Sequence, residues 1–167
     1  MTNQEDENLS QTLEFVADYN IEKLQNMHES SGRLNNKALG LLGFIGVILA
    51  VLINSVDALS FDFFCLELIF MFGSILIMVS AILAGLACIP VPLDHKPSPE
   101  DLNDRIDMGR EELLKLVAKN ASEAYEHNSD MNNLKGSKIK WSVILLLVGL
   151  GLLMFWFIGN LTLYISV

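Results

Sequence analysis

The 167 residues carry 20 Asp and Glu against 11 Lys and Arg, a net charge of −9, yet 51% of them are hydrophobic and the mean hydropathy is +0.40. A soluble domain of this length needs less apolar surface, and so acidic a chain is a poor partner for nucleic acid. The charge is also segregated, with three long uncharged stretches separated by densely charged segments, which is the pattern of a membrane protein.

The first 37 residues are polar and include Glu5, Asp6 and Glu7, so no cleavable signal peptide is expected, and no lipidation motif stands at either end. Leu9, Leu13, Val16, Leu24, Met27 and Leu34 recur at spacings near three and four without a Pro, which predicts an amphipathic helix over residues 8–36. The helix is expected to run into the first transmembrane helix, 38–56, with at most a kink at Ser30-Ser31-Gly32, and the first span then serves as the insertion signal.

A short external loop is predicted at 57–62, followed by a second transmembrane helix at 63–90; its charge-free stretch extends from Leu68 to Leu93. Pro90, Pro92, Pro97 and Pro99 then break the chain. Ser98 suits an N-cap, Pro99 the first helical position, and Glu100 and Asp101 the positive end of a new helix. Leu102, Ile106, Leu113, Leu116, Val117, Ala121, Ala124 and Tyr125 give that helix an apolar stripe toward Leu134, ahead of Gly136. The linking segment is thus 91–140, and the third transmembrane helix is 141–167. The expected fold is an all-α integral membrane protein with three transmembrane helices and two amphipathic cytoplasmic helices.

All eleven basic residues fall before the first span or between the second and third, and cations beside spans resist translocation. The N-terminus is therefore expected in the cytoplasm and the C-terminus outside. The same cytoplasmic segments hold 17 acids, the other three being Asp57, Asp62 and Glu67, for a net charge of −6 that anionic lipid would repel. Pairing of the two amphipathic helices along their apolar stripes, or oligomerisation, is expected instead.

No phosphate-binding Gly loop, nucleophile elbow or paired Cys and His zinc motif occurs, so neither catalysis nor a cofactor or metal site is expected. His28, His95 and His127 are dispersed as helix-surface residues would be. Cys65 and Cys88 lie about 35 Å apart along one helix, beyond the reach of a disulfide. Mid-span ionisable residues, the mark of a proton or ion path, are absent, Glu67 being at a margin. Small residues are the stronger feature: Gly40, Gly43, Gly46 and Ala50 in the first span, Gly73, Ser80, Ala84 and Gly85 in the second, Gly149 and Gly151 in the third. They permit close helix packing, within one chain or between copies in a homo-oligomer.

Tyr19-Asn20, Arg33 and the run Asn36-Lys37-Ala38-Leu39-Gly40-Leu41-Leu42-Gly43 entering the first span resemble the integral membrane effectors of Pycsar antiphage systems. The likeness continues through the Pro-bounded link and Glu123-Ala124-Tyr125 to Asn128, and the SLATT-type effectors have similar architecture. The resemblance implies a prokaryotic inner-membrane protein that damages the bilayer when a partner cyclase makes a cyclic pyrimidine nucleotide. Candidate ligand-binding cations are then Arg33, Lys37, Lys135 and Lys138, residues whose placement the positive-inside rule also explains. The alternative is a constitutive membrane anchor or assembly subunit that docks a cytoplasmic partner.

Overall fold

In the computed structural model the described residues, 2–55, 64–90 and 109–166, form three helices: α1 (Thr2–Ser55), α2 (Phe64–Cys88) and α3 (Arg110–Ser166). All three are long and apolar enough over part of their length to cross a membrane. Ser98, Glu100, Asp101, Leu102, Ile106, three of the four prolines and the 57–62 loop lie outside the described residues.

The helix assignment of α1 is unbroken through Ser30-Ser31-Gly32. That of α3 continues through Gly136. A helical glycine costs only about 1 kcal/mol against alanine, so packing elsewhere on the helix overrides it. On both helices the sheltered positions alternate in steps of three and four. On α1 the series is 13, 17, 20, 24, 27, 31, 34, 38, 41, 45, 48 and 52; on α3 it runs from 118 through 121, 125, 128, 132, 135, 139, 142, 146, 149 and 153 to 156. A sustained repeat averaging 3.5 residues is the condition for helices to keep one seam against a partner.

The chain divides into two compact units. The polar one comprises Met1–Arg33 and Pro90–Leu134. Within it, paired residues of α1 and α3 advance in the same direction along both helices: Glu14 with Arg110, Asn20 with Ala118 and Met27 with Asn132. That order makes the two helices parallel. Their buried apolar residues are Ala17, Leu24, Ala118, Ala121 and Ala124, so Leu24 is the one large fully enclosed apolar side chain among the described residues of this unit. The Arg110 and Glu14 ion pair, 3.0 Å long with both side chains more than half exposed, adds little stability.

The apolar unit comprises Leu34–Ile89 and Lys135–Val167. Its core is Ile45, Ile77, Ala84, Leu146 and Leu153, joined by Leu41, Ile48, Leu49, Leu52, Phe70 and Leu150. All three helices contribute. Large apolar side chains such as Phe44, Val47, Phe72, Met78, Leu147 and Phe157 cover its outside, as a lipid solvent requires. Trp141 is exposed directly after Lys138 and Lys140, where an amphipathic ring suits the headgroup level.

Candidate functional site

Two constellations set the chemistry of this molecule, one in each unit. In the apolar unit α2 and α3 are antiparallel and meet in layers seven residues apart. Ser80 and Ser142, both fully buried, form one layer: Ser80 Oγ donates to the Ser142 carbonyl at 2.7 Å, and Ser142 Oγ donates to the Ser80 carbonyl at 2.8 Å. Gly73 and Gly149 form the next. A Cβ on Gly149 would stand 2.8 Å from Ile77 Cγ1 and 2.9 Å from the Gly73 carbonyl oxygen; one on Gly73 would stand 3.1 Å from the Gly149 carbonyl oxygen. Phe70 packs on Trp156 at 5.0 Å between ring centroids, beyond the glycine layer. The seam is therefore closed by backbone contact and reciprocal hydroxyl bonds, the two devices that hold helices in lipid.

Ser80→Ala and Ser142→Ala are each expected to cost about 0.5 to 1.5 kcal/mol in detergent unfolding. Each hydroxyl donates to a carbonyl that alanine keeps, so the double variant is expected to cost the sum. Strong non-additivity would instead assign the bond to the 2.9 Å contact between the two hydroxyl oxygens.

The polar unit has a seam of a different kind. Asn20 Nδ2 donates to the Ala118 carbonyl at 3.0 Å, and Asn132 Nδ2 donates to the Met27 carbonyl at 3.1 Å while lying 2.9 Å from its sulfur. Ser31 and Asn128 are buried in the same seam positions, and the buried Asn132 Oδ1 has no hydrogen-bond partner among the described residues. Polar side chains at seam positions fix register and pairing but lower stability. On the flank, the Lys23 ammonium lies 4.7 Å from the Tyr19 ring centre and 5.3 Å from that of Tyr125. Its contact with Tyr19 holds the amino group above the ordinary lysine range. Phe15 stacks on Tyr19 at 6.4 Å, both rings exposed.

The sequence-selected cations separate. Arg33 and Lys37 are exposed and Lys138 is half-buried. Lys135 is only 3% exposed and donates to Asn35 Oδ1 at 3.0 Å. Of the small residues, Gly149 is at the tightest point of the seam, whereas a Cβ on Gly40, Gly43, Gly46 or Gly85 would meet nothing within 4 Å, and Ala50 is exposed. No group of three or more His, Cys, Asp or Glu converges for a metal among the described residues. Apolar spacing alone does not mark Asn20, Ser31, Asn35, Asn128 and Asn132. All but Asn35 occupy the three-and-four series, which is the signal that identifies them.

The family model of the Pycsar effector protein domain matches residues 21–162, which takes in α1 from residue 21 onward, all of α2 and all but the last turn of α3. The chain belongs to this family. Membership in the Pycsar effector domain family, together with three helices able to span, makes it a multi-pass membrane protein and an antiphage defence effector. The matched region includes Arg33, the run from Asn36 to Gly43 and the stretch from Glu123 to Asn128. No curated protein and no solved structure matches this Pycsar effector domain.

Proposed function

We propose that this Pycsar effector damages the membrane in response to a signal received by its polar unit, and does so without catalysis. The observation that carries the reading is the contrast among the spans. α2 and α3 are locked by the Gly73/Gly149 and Ser80/Ser142 layers, while the apolar segment of α1 is the least buried of the three and turns Gly40, Gly43, Gly46 and Ala50 outward. Small residues open to lipid suit close approach of a second copy, so the effector works as a homo-oligomer whose α1 helices rearrange against fixed α2–α3 pairs. The confinement of the basic residues to one side of the spans supports a cytoplasmic polar unit with two amphipathic helices, the N-terminus inside and the C-terminus outside.

The trigger fitting this family is a cyclic pyrimidine nucleotide from a partner cyclase, with Arg33 in the polar unit, or Lys37 and Lys138 in the apolar unit, as candidate cations for its phosphate. A ligand preferring the active arrangement about 100-fold shifts the balance by about 2.7 kcal/mol, enough to redirect a polar unit whose described residues fully enclose one large apolar side chain. The test is dye release from vesicles containing the purified full chain, with 3′,5′-cyclic uridine and cytidine monophosphates as probes and the cyclic purine nucleotides as controls. Release on addition of a pyrimidine probe alone supports direct sensing. Tight vesicles under every probe would move sensing to a partner protein.

A further inference from the structure

The α2–α3 register, continued by seven residues from the Ser80/Ser142 layer, brings Lys135 level with Ala87, which is 1% exposed. The Lys135 ammonium is enclosed there, and its one hydrogen-bond partner among the described residues is a neutral amide oxygen, that of Asn35 on α1. Ala38, one turn further along α1, is fully buried as well. An ammonium has three donors and strongly prefers water, so a closed site with one uncharged acceptor satisfies it poorly. A methionine of similar length would fill the same space at no electrostatic cost. The lysine is thus disfavoured in the arrangement that the structure displays and favoured in any arrangement that lets water reach it.

We propose that Lys135 and Asn35 form the latch of this effector: their bond holds α1 against α3 at the polar end of the apolar unit, and the unsatisfied ammonium biases that contact toward opening. This rests on the effector reading and names the residues that regulate it. Closing the latch more firmly makes the protein refractory to its trigger. Lys135→Met removes the charge that seeks water, and Asn35→Asp gives the ammonium a carboxylate. Asn35→Leu has the opposite effect, leaving a buried charge with no acceptor.

Two readouts separate the latch from the effector reading. In phosphatidylethanolamine and phosphatidylglycerol vesicles containing the full chain, acylation by an amine-reactive ester is followed at Lys135 and at the exposed Lys140 by mass spectrometry. Lys135 is expected to react at least about tenfold more slowly than Lys140, with Asn35→Asp slowing it further and Asn35→Leu closing most of the gap. Equal reaction of Lys135 and Lys140 in the unsubstituted protein overturns the proposal. In cells, Lys135→Met and Asn35→Asp are expected to abolish triggered depolarisation at normal membrane levels, and depolarisation like that of the unsubstituted chain in both overturns it. Should the unsubstituted chain never depolarise cells while the acylation pattern holds, the effector reading fails and the latch stands. Where Asn35→Leu does not insert, Asn35→Asp carries the decision alone.

Discussion

Gly149→Leu is expected to separate α2 from α3 and to cost about 3 kcal/mol or more, as overpacking against backbone does. The added Cβ alone would lie 2.9 Å from the Gly73 carbonyl oxygen and 2.8 Å from Ile77 Cγ1; the carbonyl is backbone and is held while the Ser80/Ser142 bonds hold the same seam, and Ile77 is fully buried among its neighbours. The control is Gly46→Leu, whose Cβ meets nothing within 4 Å. Mixed-detergent unfolding of the two variants is the comparison. Gly149→Leu should unfold well before the unsubstituted chain and Gly46→Leu with it. Equal stability of both variants would mean that α2 and α3 do not pack through Gly73 and Gly149.

Leu24→Ala is expected to destabilise the polar unit by about 2 to 4 kcal/mol, the usual cost of emptying a fully enclosed leucine site. Its buried apolar companions among the described residues of the unit are alanines, with the amides of Asn20, Asn128 and Asn132 in the same seam, so no second enclosed large apolar side chain stands among them to compensate. Loss should be local. Amide exchange over residues 11–33 and 110–134 is expected to accelerate, while exchange in α2 and the C-terminal half of α3 stays slow. Uniform protection in all segments would show that Leu24 is not what holds the polar helices together.

Much of this architecture is legible in the residues. Charge-free stretches of about the length a bilayer needs, or longer, specify the spans without help from packing, and the recurrence of Leu13, Leu24, Met27 and Leu34 is already the α1 stripe. The family is legible too, from Arg33 and the run into the first span. What hydrophobicity could not reveal is the polar half of the seam. Asn20, Ser31, Asn128, Asn132 and Lys135 keep the spacing of core positions while having the chemistry of surface residues, so a search for apolar recurrence skips them. Lys135 shows the difficulty best: beside Lys138 and Lys140 it looks like one more cation of the membrane margin, and only the three-and-four step from Asn132 to Ile139 places it inside. The partners of small residues were equally hidden. Gly40, Gly43 and Gly46 are closely spaced and open, whereas Gly149 pairs with Gly73 through a register that no local pattern encodes.

Triggered damage to the membrane by this effector would show first as a change in membrane potential. Cells expressing the chain with its neighbouring genes would be followed with a voltage-sensitive dye before and after phage challenge. Depolarisation on challenge alone, lost when Gly40, Gly43 and Gly46 are all replaced by Leu in a protein that still reaches the membrane, is the expected result. An unchanged potential after challenge, with the chain present in the membrane at full level, would contradict it and leave the constitutive anchor as the better description.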